Sequence, residues 1–375
     1  METETLIVGA GPAGLATAAC LRRAGRDFAI VDGASAVGSS WRRHYERLHL
    51  HTARSHSGLP HHPMPRDWPT YVPRERFVTY LEDYARAFEI APRFGEKVTR
   101  AEPLDGKGWR VTTSAGEHQA RHLVVASGYN AVPHRPELPG QARFGGQVAH
   151  SSDFRNADPY RGKRVLVVGA GNTGAELALE LSEKGAASVD LCIRSKIHVI
   201  TRDAFGLPTQ VMAALTLWIP LPLRDVIFRG LMRVLVGNLT KVGIHAPAEG
   251  ILVQIVRLGR IPLIDIGTIA AIREGRIKVR GDIQSLTASG ARFVDGSEGS
   301  YDTIVLATGF RPQLGAFLAR ANEVLDDRGY PRLRGRETEL PGLYFVGFDL
   351  GEAGHLRQIA IEARNVAAAI ARRAS

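Results

Sequence analysis

The sequence predicts an α/β chain in which two Rossmann-like folds are nested, one inserted within the other. Three observations predict it. A short apolar strand, a glycine turn and a helix stand at the N-terminus: Thr5–Val8, then GAGPAG at Gly9–Gly14, then LATAACLRRAG ending at Gly25. The same order returns about 160 residues later, as Val165–Val168, GAGNTG at Gly169–Gly174, and AELALELSEKG stopped by Gly185. Each helix is followed by a second strand, Phe28–Val31 or Val189–Ile193, which completes a βαβ unit. A spacing this long marks two folds rather than a short-period repeat.

The glycines give each unit its chemistry. In GxGxxG placed between a strand and a helix, the first glycine makes the tight turn, the second lets the backbone approach a pyrophosphate, and the third lets helix and strand pack closely. The pyrophosphate then rests on the helix N-terminus, where free N–H groups and the dipole favour an anion. The expected dinucleotide contacts are Gly9, Gly11, Pro12, Ala13 and Gly14 in the first unit, and Gly169, Gly171, Asn172, Thr173 and Gly174 in the second. The residue closing the second strand separates the two ligands. Asp32 closes the first unit; a carboxylate accepts from ribose hydroxyls and repels a 2′-phosphate, which suits FAD or NAD. Arg194-Ser195-Lys196 closes the second; a guanidinium and a hydroxyl suit the 2′-phosphate of NADPH. A basic turn that only faces solvent is the plainer alternative.

The remaining elements fill in around these units. The Pro/His-rich stretch His44–Pro73 reads as loop, Arg74–Phe88 as a helix, and Trp109–Thr113 and Leu123–Ser127 as strands. Small residues at Ser127-Gly128 and Thr308-Gly309 end the apolar runs VVASG and VLATG, where the chain must pass close to a flat cofactor or cross between domains. Ser40, Trp41 and Arg42 follow Gly38 in a GSSW sequence. Residues Thr209–Gly237 read as apolar helices broken by Pro220 and Pro222; within them the apolar segment Val211–Leu235 could be a substrate lid, a dimer face, a membrane-surface contact or plain core. Strands at Thr303–Ala307 and Leu343–Val346 and a helix at Leu356–Arg373 close the chain. The expected domains are residues 1–159 with 306–375 for FAD, and 160–305 for NADPH.

Composition excludes other classes. The chain of 375 residues carries a net charge of +10, but the charge is dispersed, not gathered into the stripe or tail of a nucleic-acid binder. Its two cysteines, Cys20 and Cys192, are far apart, so a dithiol reaction has no reactants, and lone cysteines fit a reducing cytoplasm. No secretory pattern stands at the N-terminus, and the longest apolar run, Val211–Leu223, is too short to span a bilayer. His49, His51, His56, His61 and His62 share one loop without the spacing of a metal site, so no metal is expected. No GxSxG marks a hydrolase nucleophile. The expected partner is a small-molecule substrate, and the chain is expected to be a cytoplasmic monomer or homodimer.

Together the motifs resemble the class B flavin-containing monooxygenases. GAGPAGL is similar to their FAD fingerprint, FGGQVAHSSDF at Phe144–Phe154 to their FxGxxxHxxx(Y/F) signature, GAGNTG to their NADPH fingerprint, and LATGF to a later domain-crossing motif. The resemblance is closest to the plant YUCCA branch and covers nearly the whole chain, including SSWRRHYERLHLHT, RSKIHVITRDAFG, LWIPLPLRDVIF and IPLIDIG. It implies FAD contacts at Gly9–Gly14, Asp32, Trp41 and Arg42, and NADPH contacts at Gly169–Gly174, Arg194 and Ser195. It also implies a monooxygenase working through a flavin C4a-(hydro)peroxide, with oxidative decarboxylation of an aromatic 2-oxo acid such as indole-3-pyruvate. Heteroatom oxygenation and an uncoupled NADPH oxidase are the alternatives. Within the signature, His150 could transfer a proton, but holding a linker is the reading the sequence favours. The chain departs from the pattern in having GSSW for GGxW, no Asn in HTARSHSGLP, and a divergent end after Phe348.

Overall fold

The structure is a computed structural model that describes residues 1–105 and 108–373. It divides into two compact units. The first comprises Met1–Arg43, Leu48–Val132 and Phe310–Ser375; the second comprises His44–Arg47 and Pro133–Gly309.

In the first unit, Glu2–Val8 pairs in parallel with Phe28–Asp32 on one side and Gly116–Val125 on the other. Arg93–Phe94 extends this parallel part beyond Phe28–Asp32, and Leu343–Phe345 runs beside residues 123–125. Gly108–Thr113 and Val98–Leu104 continue the sheet as an antiparallel meander. Successive strand residues point to opposite faces. Ile7, Ile30 and Val124 therefore enter one core, with Leu15, Leu21, Phe77, Tyr84 and Ile359 from helices Pro12–Arg23, Arg74–Ala87 and His355–Arg373. Leu6, Val8, Val31, Leu123 and Val125 enter a second core with Trp109, Leu314 and Phe348. Both faces are covered, which is why these strands read as unbroken apolar runs rather than alternating ones.

The second unit is built on a parallel sheet of five strands, in the order Ile277–Arg280, Ser188–Cys192, Arg164–Val168, Thr303–Leu306 and Gln147–His150. Helix Asn172–Glu183 buries Leu177, Ala178, Leu179 and Leu181. A small antiparallel sheet, Ile283–Leu286, Gly290–Phe293 and Glu298–Ser300, packs Leu286, Ala291 and Phe293 with Leu166, Ile304 and Leu306. Helices Thr209–Leu215 and Leu221–Val236 are separated by residues 216–220. Pro220 is the N-cap of the second helix and Pro222 lies in its first turn. The prolines therefore start that helix rather than break it, because a first-turn N–H has no helical partner to lose.

The His-rich stretch contains only the short 3₁₀ turn Arg54–His56 and the isolated bridges His49–Pro73 and Leu59–His62 as regular pairing.

Candidate functional sites

The two glycine turns have the same construction. Gly9 has φ +111° and Gly169 has φ +110°, conformations that L side chains rarely adopt. A Cβ on Gly9 would stand 2.5 Å from the Ala126 carbonyl oxygen, and one on Gly169 would stand 2.6 Å from that of Ala307. VVASG and VLATG are thus small at their ends because each lies against its own unit's glycine turn. The third glycines, Gly14 and Gly174, abut the carbonyl oxygens of Gly9 and Gly169 so closely that a Cβ would overlap them. The protein itself therefore requires the first and third glycine of each turn.

The middle glycines differ. Gly11 (φ −85°, ψ −173°) and Gly171 (φ −75°, ψ 179°) are extended, a conformation open to any residue. A Cβ on either would meet no described atom within 4 Å. Among the described residues nothing accounts for these glycines. Each is followed by a helix, Pro12–Arg23 or Asn172–Glu183, whose first-turn N–H groups lack intrahelical acceptors. In the first helix Pro12 has no N–H, so Ala13 and Gly14 supply the donors; in the second Asn172, Thr173 and Gly174 do. Two open cradles at two helix N-termini fit two pyrophosphates.

Asp32 ends its strand with its carboxylate folded back on the turn. Its Oδ2 accepts from the Ala10 N–H and its Oδ1 from the Ala34 N–H, both at 2.7 Å. Each oxygen has a second lone pair that can accept from a ribose hydroxyl. The Ser127 Oγ, where VVASG ends, is buried and has no hydrogen-bond partner among the described residues. Trp41 is half-buried, edge-on to Phe77 with ring centroids 4.4 Å apart. Arg42 bonds to the Val37 carbonyl and pairs with Glu82, while Ser40 is exposed. Gly128 turns at φ +80° with open space where a Cβ would stand.

In the second unit Arg194, Ser195 and Lys196 are exposed beyond the end of strand Ser188–Cys192. The Asn172 side chain is engaged within the unit, its Oδ1 accepting from the Ile264 N–H at 2.7 Å. Its backbone N–H, in the first turn of the helix, can face a phosphate. The Thr308 hydroxyl donates to the His134 carbonyl. His150 is fully buried. Its Nδ1 accepts from the Ser152 N–H at 3.0 Å, so the proton lies on Nε2, which donates to the Gly309 carbonyl at 3.1 Å. Burial, and then the Arg135 charge, hold its pKa below the ordinary histidine value. Nε2 ties strand Gln147–His150 to the Thr308-Gly309 turn, while Nδ1 holds the ring to the Ser152 N–H just after the strand.

Two features escaped the sequence reading. Tyr45 is buried in the second unit, its hydroxyl engaged by Thr173 and Glu176 of the phosphate helix. Burial and the Glu176 carboxylate push its pKa well up. Gly347 (φ +86°) is the other: a Cβ there would lie 2.8 Å from the Ala13 Cβ, at the start of the first phosphate helix. The Glu362 Oε2 accepts from its N–H at 2.7 Å. LYFVG at Leu343–Gly347 repeats the strand-then-small-residue grammar of VVASG and VLATG, the signal that could have found it.

Among the described residues no group of three His, Cys, Asp or Glu could hold a metal, and no helix is long and apolar enough to cross a membrane.

Comparison with known proteins agrees with this construction. The family "Pyridine nucleotide-disulphide oxidoreductase" matches residues 6–204. The chain is 40% identical over 353 residues to indole-3-pyruvate monooxygenase YUCCA1 of Oryza sativa subsp. japonica, covering 92% of this chain and 86% of that protein. It is 38% identical over 349 residues to probable indole-3-pyruvate monooxygenase YUCCA4 of Arabidopsis thaliana, covering 92% and 84%. Among solved structures, a flavin-containing monooxygenase from Stenotrophomonas maltophilia superposes with TM-score 0.76 at 20% identity, over 100% of this chain and 99% of that one. An oxidized steroid monooxygenase bound to NADP superposes with TM-score 0.73 at 19% identity, over 100% and 85%. At these identities the superpositions establish the fold, α/β with two Rossmann-type units.

Proposed function

The chain belongs to the YUCCA family of flavin-dependent monooxygenases, and we propose that it oxidatively decarboxylates an aromatic 2-oxo acid, with FAD on the first glycine turn and NADPH on the second. The observation that carries the assignment is the pair of open cradles at Gly11 and Gly171, each in a turn whose other two glycines the fold itself demands. FAD and NADPH, when bound, would supply the redox chemistry, two electrons from NADPH for the reduction of dioxygen.

The residues hold and sort these cofactors. The N–H groups of Ala13 and Gly14 face the FAD pyrophosphate, and Asp32 fixes the turn while accepting from the ribose. The N–H groups of Asn172, Thr173 and Gly174 face the NADPH pyrophosphate. Arg194 and Ser195, exposed at the strand end, recognise the 2′-phosphate. Tyr45 fixes Thr173 and Glu176 of helix Asn172–Glu183, and His150 braces the turn at Gly309. The His150 ring has no nitrogen left for proton transfer in this arrangement.

The 36–40% identity shared with several YUCCA indole-3-pyruvate monooxygenases supports the substrate class. The balanced reaction is arylpyruvate + O₂ + NADPH + H⁺ → arylacetate + CO₂ + H₂O + NADP⁺. The carbon–carbon bond to the carboxylate breaks, one oxygen atom enters the new carboxylate, and the other leaves as water. Turnover of indole-3-pyruvate under ¹⁸O₂ tests this: mass spectrometry should find a product one carbon shorter with one labelled oxygen. Hydrogen peroxide as the sole product, or an oxygen added to an intact amine or sulfide while 2-oxo acids go unconverted, refutes it.

A further inference from the structure

Helix Leu221–Val236 is apolar on its outer face as well as its inner one. Its buried residues include Arg224 and Asp225 alongside Phe228, Met232 and Val236. Its exposed residues include Leu223, Val226, Ile227 and Val234, the last 80% exposed. Positions 223, 226, 227, 230 and 234 follow the spacing of a single helix face. A helix that merely covers a core presents this stripe inward.

Asp225 fixes the rotation. Its Oδ1 accepts from the Leu252 N–H at 2.7 Å, in the first turn of helix Ile251–Leu258, and its Oδ2 pairs with Arg229 at 3.3 Å. Turning the helix to bury its stripe would expose this carboxylate and strip the Leu252 N–H of its acceptor, a cost of the order of 1–3 kcal/mol for the N–H alone.

The stripe continues beyond the helix. Leu215, Leu217 and Trp218 are exposed just before it, Trp218 at 83%. Phe205 and Leu207 precede them, and Val256, Leu258 and Ile261 are exposed on and after helix Ile251–Leu258, which packs against Leu221–Val236. Single exposed apolar side chains need no explanation, but a run of this kind marks an interaction surface.

We propose that this face docks on the surface of an anionic bilayer. Charge selects the partner. Residues 205–261 carry six basic side chains (Arg224, Arg229, Arg233, Lys241, Arg257, Arg260) against two acidic ones, Asp225 and Glu249; with Arg224 and Asp225 both buried, five basic side chains stand against one acidic on the surface. Arg229, Arg233, Arg257 and Arg260 are exposed. In a two-fold dimer the same patch faces itself, bringing these like charges together. Anionic headgroups take the arginines while the acyl boundary takes the apolar stripe and the Trp218 ring, which suits the interfacial layer. The segment lies on the membrane; it does not cross it.

Sedimentation of the FAD-loaded full chain with vesicles tests the proposal, comparing pure phosphatidylcholine with phosphatidylcholine containing about 30% phosphatidylglycerol. Partitioning onto the anionic vesicles should be at least about tenfold stronger, should fall with added salt, and should move Trp218 emission to the blue. The double substitution Ile227→Glu and Val234→Glu should cut partitioning by about tenfold or more, with flavin absorbance and melting temperature retained. If that variant does not fold, Trp218→Ser, on the turn outside the helix, should still lower partitioning several-fold. Three outcomes overturn the proposal: no sedimentation with either vesicle, equal sedimentation with both, or a soluble dimer that Ile227→Glu converts to monomer.

Discussion

Gly11→Ala and Gly171→Ala are the sharpest perturbations of the two turns, because they add a methyl group where the chain has room for one. Both positions have extended backbone, and a Cβ at either meets no described atom within 4 Å. Relief of unfolded-chain entropy favours Ala by about 0.4–1 kcal/mol, and the weaker capping of Ala against Gly offsets a few tenths. Each apoprotein should therefore keep its stability to within about 1 kcal/mol. Gly14→Ala is the contrast: its Cβ overlaps the Gly9 carbonyl oxygen, and backbone cannot yield as a flexible side chain would. It should cost at least about 1–3 kcal/mol before any ligand is considered.

Ligand binding should respond in the opposite order. A methyl group in the Gly11 cradle holds the pyrophosphate away from the Ala13 and Gly14 N–H groups. Hydrogen bonds to a charged group contribute about 1.5–3 kcal/mol each, so losing two costs about 3–6 kcal/mol, or about 10² to 10⁴ in affinity. Gly11→Ala should fold and purify without flavin. Gly171→Ala should purify yellow and resist anaerobic reduction by NADPH. Flavin absorbance per protein, a denaturation curve and a stopped-flow reduction trace measure all three quantities. Exchanged phenotypes would mean that the two units bind the opposite cofactors, and full flavin retention by Gly11→Ala would refute the reading of the open cradle.

Three further outcomes are expected. Arg194→Ala should raise the KM for NADPH about 10- to 100-fold, the worth of one charged hydrogen bond, and leave that for NADH nearly unchanged; equal effects would remove the 2′-phosphate from the argument. Burial pushes the Glu362 carboxyl from 4.5 up to about 7. The unfolded chain thus releases this proton first, and about 3 kcal/mol of stability present below about pH 4.5 is lost as pH rises through about 7. Glu362→Gln should accordingly gain on the wild type by about that amount between about pH 5 and pH 8 in denaturant titrations, whereas a constant difference would contradict the assignment. His150→Asn should lower stability by about 1–3 kcal/mol while leaving the pH profile of kcat unmoved, and a lost limb in that profile would show proton transfer after all.

The parts legible in the sequence are those whose physical cause lies within a few residues. The contact that demands a glycine at position 14 is with Gly9, five residues away, and the one that demands Gly174 is with Gly169. Strand, turn, helix and strand follow from such local rules, and so the two βαβ units could be placed. The cause that joins Ala126 to Gly9, or Ala307 to Gly169, lies over a hundred residues off. Sequence could register it only as an unexplained run of small residues after an apolar strand. Tyr45 gave less still: nothing in YERLHL says that its hydroxyl will meet Thr173, because that meeting depends on the fold of the whole second unit.

Helix Leu221–Val236 shows a different limit. Its apolar spacing was visible, but a hydrophobic stripe carries no mark of which way it faces, since inward and outward rotations share one period. The direction is decided by a polar contact, Asp225 with the Leu252 N–H, between residues that sequence gives no reason to pair. The lid, the dimer face, the membrane contact and the plain core, the plainest of the four, therefore all remain open to the sequence. With the stripe turned outward, plain core no longer accounts for Leu223, Val226, Ile227 and Val234, and a surface role takes its place. That anchor can be tested directly: Asp225→Asn, which keeps an acceptor for the Leu252 N–H, should leave the apolar face exposed, whereas Asp225→Leu, which removes the acceptor, should release the helix and lower vesicle partitioning.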